Sequence, residues 1–257
     1  MTFLDAAHAA VTADPENEAL RLRFFERLAD GEMVILLERE AEGQKLEPRV
    51  FDLEDGPVVL IFDREERLAA FSGGIAPYAA LPGRVIAGML KGQGIGLGVN
   101  LGVAPSSMLL PPEAMDWLAT ALEAGPEAVQ ALPEEFVPPR VPEALVTALD
   151  AKLARAGGLA VAALLAGVVY QGGRRGHLLA VLDALPEAEG PLARAISEAL
   201  VFSGVEAGEL DVVFLASGTE AAAAMGRVGL RFDLPVADTP AAPGAPGLDP
   251  ARPPKLR

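Results

Sequence analysis

The sequence predicts an α/β (α+β) fold class: two small mixed-sheet domains, each with helices packed on its sheet. Three observations predict it. The chain has 257 residues, and one domain usually takes about 100–200. Hydrophobic residues make up 51% of it, which excludes a globally disordered chain. Short apolar runs at strand spacing alternate with runs at helical spacing on both sides of a proline-rich stretch. That stretch, Gly125 to Pro142, holds five prolines and sets a linker at residues 124–141. The expected domains are therefore residues 1–123 and 142–234.

In the first domain, residues 14–29 read as a helix. Asp14 can cap it, Pro15 suits its first turn, and Leu20, Phe24, Phe25 and Leu28 recur at helical spacing. Asp30-Gly31 ends it. Met33 to Leu37 reads as a buried strand and Glu38 to Pro48 as a charged hairpin loop. Val50 to Leu53 and Val58 to Phe62, joined by a Glu54-Asp55-Gly56-Pro57 turn, complete a predicted meander. Asp63 is placed to cap a helix from Arg64 to Phe71, which Ser72-Gly73-Gly74 breaks. Pro82 opens another helix through Leu90. Ile95, Leu97 and Val99 alternate with glycines as in a strand, and Met108 to Leu110 is a short strand. Pro111-Pro112 starts the helix carrying Met115, Trp117, Leu118 and Leu122.

The second domain opens with a helix from Pro142 to Ala156. Leu159 to Tyr170 and Leu178 to Leu182 read as strands joined by the loop Gln171 to Gly176. Gly190-Pro191 opens a helix through Phe202, Leu210 to Leu215 is a third strand, and Thr219 to Arg227 a helix. Leu230-Arg231-Phe232 is the expected last strand. This order suggests helices covering one face of a small mixed sheet. Residues 235–257 are rich in Pro, Ala and Gly, lack the bulk to build a core, and read as a disordered tail.

Charge and composition narrow the function. The formal net charge is −15. Residues 1–122 hold 10 Lys and Arg against 19 Asp and Glu, and the remainder 11 against 17, so neither half is basic. An acidic surface repels phosphate backbones and anionic lipid, so neither nucleic acid nor membrane is an expected partner. The absence of cysteine excludes disulfides, thiolate nucleophiles and cysteine-based metal sites. Met1-Thr2-Phe3-Leu4-Asp5 lacks the basic and apolar regions of a signal peptide, and the longest apolar run, Leu159 to Tyr170, has 12 residues where a bilayer needs about 20. A cytoplasmic location is expected.

Four features invite a chemical reading. Gly92-Gln93-Gly94-Ile95-Gly96-Leu97-Gly98 looks like a phosphate loop, but its glycines run at period two into a strand, where a dinucleotide fingerprint leads into a helix. The simpler reading is a strand whose glycines lie against another backbone. Asp52, Glu54, Asp55, Asp63, Glu65 and Glu66 form an acidic cluster able to hold a hard cation, although turn and helix-start positions favour acids anyway. His8 and His177 stand 169 residues apart and form no zinc pair; no cofactor, metal or catalytic set is expected. The loop Gln171-Gly172-Gly173-Arg174-Arg175-Gly176-His177 is the most distinctive. It gathers three cationic side chains, Arg174, Arg175 and His177, between two apolar strands of an acidic chain. Arginines pair bidentately with carboxylate or phosphate, so these three are the candidate residues for binding a ligand or partner. A charged hairpin tip explains the same residues without a ligand.

Three segments carry a family resemblance: Pro77-Tyr78-Ala79-Ala80-Leu81-Pro82-Gly83-Arg84, Gly96-Leu97-Gly98-Val99-Asn100, and Leu109-Leu110-Pro111-Pro112-Glu113. Together they resemble the N-terminal domain of the SseB family, and residues 142–234 are similar to its C-terminal domain. The family is named for serine sensitivity and has no established activity, so the resemblance implies two domains and supplies no site residues. The expected function is a non-catalytic interaction or regulatory protein whose partner is another protein or an anionic small molecule. The alternative is an enzyme or metabolite binder using the 171–177 loop or the acidic cluster.

Overall fold

The computed structural model describes residues 1–41, 43, 45–123, 133–204 and 210–236. Its elements in chain order are α1 (Phe3–Ala13), α2 (Glu18–Asp30), β1 (Glu32–Leu36), β2 (Val50–Leu53), β3 (Gly56–Phe62), α3 (Glu65–Ser72), β4 (Tyr78–Pro82), α4 (Gly83–Leu90), β5 (Gly96–Val99), β6 (Met108–Leu110) and α5 (Pro112–Glu123). The second half adds β7 (Pro133–Val137), α6 (Glu143–Leu153), β8 (Ala162–Tyr170), β9 (Arg175–Leu182), α7 (Glu189–Phe202), β10 (Leu210–Leu215), α8 (Glu220–Val228) and β11 (Leu230–Asp233). The α/β class holds: two mixed sheets, of six and five strands, each have helices packed on them. Among the described residues no helix is long and apolar enough to cross a membrane.

The first sheet runs β4-β1-β3-β5-β6. The expected meander is not what forms. β2 and β1 both pair with β3 in succession along the edge opposite β5, and β3 and β5 are parallel. Phe3–Ala13, a segment for which no element was expected, forms α1, with Thr2 and Asp5 exchanging capping-box hydrogen bonds. The second helix starts at Asn17, which caps it in place of Asp14. Alternation sorts the sheet's side chains. Met33, Ile35, Val59, Ile61, Leu97 and Val99 face α2, α4 and α5, whereas Val34, Leu36, Leu60 and Phe62 face α3.

In the second sheet the order is β10-β9-β8-β11, and β7 also pairs with β8. β7 lies inside the stretch read as a linker; the adjoining residues 124–132 lie outside the described residues. Helices cover both faces rather than one. Ala163, Leu165, Leu179 and Val181 pack under α6 and α7, while Leu164, Ala180 and Leu182 pack under Ala222 and Met225 of α8. A strand run apolar at every position is buried on both faces, which is why β8 reads as a continuous hydrophobic segment. Residues 235 and 236 of the expected tail follow Leu234, which is buried beside Val161, and Gly158 donates to the Pro235 carbonyl. Residues 237–257 lie outside the described residues.

Candidate functional site

β8 and β9 form an antiparallel hairpin in which His177 opposes Gly167 and Arg175 opposes Val169. Its turn needs Gly172 and Gly173, whose φ angles of +92° and +84° side chains rarely adopt. The turn separates the two arginines. The Arg174 guanidinium lies 4.2 Å from the centre of the Tyr170 ring and 2.9 Å from an Asp211 carboxylate oxygen. The Tyr170 hydroxyl donates to the same carboxylate. Burial, reinforced by the Asp211 charge, pushes the Tyr170 phenol above its ordinary range. Arg174 is thus engaged within the fold, on the face that carries α8.

Arg175 and His177 point to the opposite face, beyond the part covered by α6 and α7. Glu135 and Val137 of β7 share that face, because they pair with Val169 and Gly167. The chain leaving β7 passes close over Gly167, where an added Cβ would meet the Pro138 carbonyl at 3.1 Å. The Arg140 N–H donates to His177 Nε2 at 3.2 Å, which holds Arg140 beside the β9 strand. The result is a groove of about 590 Å³. Among the described residues its walls carry the two cations Arg140 and Arg175, with His177 beside them, against the acid Glu135, and its floor is Gly167 and Gly176. Among the described residues neither Arg140 nor Arg175 has an ion-pair partner. Of the three predicted residues, two therefore converge and Arg174 does not join them. Sequence reasoning missed Arg140, although it is the one cation in residues 124–141.

The other candidates resolve into structural roles. β5 is a strand, and Gly96 and Gly98 sit where a Cβ would meet the Leu110 carbonyl at 2.7 Å and the Leu60 side chain at 2.5 Å. Gly92 and Gly94 take the positive φ of the preceding turn. The acidic cluster disperses. Among the described residues its members form no metal-binding group, and Asp63 does not cap α3 but pairs with Arg67 at 2.7 Å and accepts from the Thr2 hydroxyl at 2.6 Å. His8 packs edge-on to Phe24.

Two buried polar networks went unread in the sequence. Asp5 accepts from Arg67, from the Ser106 hydroxyl at 2.6 Å and from the Thr2 N–H at 2.8 Å; Ser106 in turn accepts from Asn100 at the end of β5. Arg67, foremost, holds the Asp5 carboxyl well below the usual carboxylate range. The second network joins the halves. Lys152 Nζ lies 2.8 Å from Asp30 and 3.2 Å from Glu198, and Arg84 pairs with both carboxylates, with Glu198 in a bidentate fork. Burial would raise the Asp30 carboxyl, but hydrogen bonds from Lys152 and Arg84 hold it below its ordinary value. Burial also pushes the Glu26 carboxyl up, against a weaker pull from Lys152.

No known family model, curated protein or solved structure matches this chain.

Proposed function

We propose that the chain is a binding protein of the SseB type that engages an acidic segment of a protein partner through the groove of Arg140, Arg175 and His177. One observation carries this reading: two arginines without ion-pair partners among the described residues, with a histidine beside them, converge on an open sheet face, in a chain of net charge −15. An extended segment suits the site, because a floor of glycines lets backbone approach backbone and carboxylates reach guanidinium groups on both walls. The SseB assignment itself rests on the sequence motifs, which lie in β4, in β5 running to Asn100, and in β6 running into α5.

Titration of a hexa-glutamate peptide into the full chain at low salt tests the reading. Arg140→Ala with Arg175→Ala should weaken binding by roughly tenfold or more, the equivalent of about 1.4 kcal/mol. Raised salt should weaken the wild-type complex by screening. Arg174→Ala should leave the affinity unchanged, because that side chain serves Tyr170 and Asp211. Equal affinity of the double variant and the wild type would refute the proposal, and so would a free dicarboxylate binding as tightly as the peptide.

A further inference from the structure

The junction of the two halves carries a second cationic opening, independent of the groove. It is a cleft of about 420 Å³ where Asp30 of α2 and Arg84 of α4 face Lys152 of α6 and Glu198 of α7. Arg155, just past α6, and Arg194, one turn before Glu198 on α7, complete its charged lining. Four cations therefore face two carboxylates.

Those carboxylates are already occupied. Asp30 accepts from Arg84, Lys152 and Arg155, and Glu198 accepts from Arg84 and Lys152. Glu26 approaches Lys152 at 3.8 Å but does not line the cleft. Arg155 touches Asp30 through one nitrogen at 3.2 Å and remains largely exposed. Arg194 is exposed and has no ion-pair partner among the described residues. Guanidinium donors are thus left over at the mouth, in front of a wall that Arg84 and Lys152 hold in place. Small-molecule sites favour boundaries between structural units and commonly enclose about 300–1,000 Å³, a range this cleft fits.

We infer that this cleft binds a small anion bearing two or more carboxylate or phosphate groups, with Arg155 and Arg194 as its direct partners and Arg84 behind them. The surplus of two positive charges in the lining sets the multivalency, and the guanidinium fork suits either oxyanion. The bound anion bridges α6 and α7 at the seam with the first half.

Calorimetric titration of the full chain with citrate and, separately, with inorganic pyrophosphate at constant ionic strength tests the inference. Saturable one-to-one binding of at least one is expected, and the tighter of the two identifies the oxyanion class. Arg194→Ala is the diagnostic variant, since its side chain makes no ion pair among the described residues; it should weaken binding by about tenfold or more. Arg140→Ala with Arg175→Ala should leave this binding intact, which separates the cleft from the groove. No saturable binding of either anion, or wild-type affinity in the Arg194→Ala chain, would overturn the inference.

Discussion

Asp5 is the residue whose environment departs most from what its sequence position suggests. It stands in the first turn of α1, where an acid is expected simply to complement the helix dipole. Instead its carboxylate is 2% exposed and accepts from Arg67, Ser106 and Thr2, tying α1 to α3 and to the segment after β5. Its folded-state pKa lies below the unfolded value, so its stabilisation is complete above about pH 4 and is lost as pH falls through the folded pKa. Asp5→Asn should destabilise the chain by about 3 kcal/mol at neutral pH and by progressively less as the solution is acidified. Urea unfolding at several pH values checks this; a deficit that stays constant down to strongly acid pH would contradict it. Sequence alone gave no sign of this network, because Asp5, Arg67 and Ser106 are each unremarkable and 101 positions separate the outermost two. Arg174 and Arg175 show the same limit. Their composition marked the loop, but only the turn decides that one stacks on Tyr170 and the other faces the groove.

At the scale of elements, legibility followed apolar continuity. β1, β3, β8, β9 and β10 each contain an apolar run, Met33–Leu36, Val58–Phe62, Ala162–Tyr170, Leu178–Leu182 and Val212–Leu215, and were readable as strands. β4 and β7 were not, because Pro77 and Pro82 flank one and Pro133, Glu134 and Glu135 open the other. Both lie at sheet margins, β4 at an edge and β7 paired only with β8, where proline and charge are tolerated. The helix α1 was missed because its alanines give little periodic signal. The α2–α4 contact explains a glycine within the resemblance motifs. A Cβ on Gly83 would lie 1.8 Å from the Leu28 carbonyl oxygen, so only glycine lets α4 start against α2. Gly83→Ala should destabilise by about 2–3 kcal/mol, since α2 must move. Gly88→Ala, in the same helix with nothing within 4 Å, should be neutral or stabilising by up to about 1 kcal/mol. Equal effects of the two substitutions would show that the α2–α4 contact is looser than described.

Across the whole molecule, the two halves share more than a connecting chain. Phe202 of α7 belongs to the core of the first half and meets Trp117 edge-on, and Lys152 sits among Glu26, Asp30 and Glu198. Removing one member of a buried ionic set leaves the others uncompensated, so Lys152→Met should cost about 3–5 kcal/mol in urea unfolding, against less than about 0.5 kcal/mol for removing exposed Arg21. A loss below about 1 kcal/mol at Lys152 would mean that the network does not join the halves. The same charge accounting leaves Arg140 and Arg175 of the groove without an ion pair among the described residues. The direct measurement is an amide chemical-shift titration of the full chain with hexa-glutamate at low salt. The largest shifts should fall at Val137, Gly167, Val169, Gly176 and His177, on the face that β7, β8 and β9 leave uncovered. Largest shifts elsewhere, or no saturable shifts at these positions, would contradict the assignment of the groove as the binding surface.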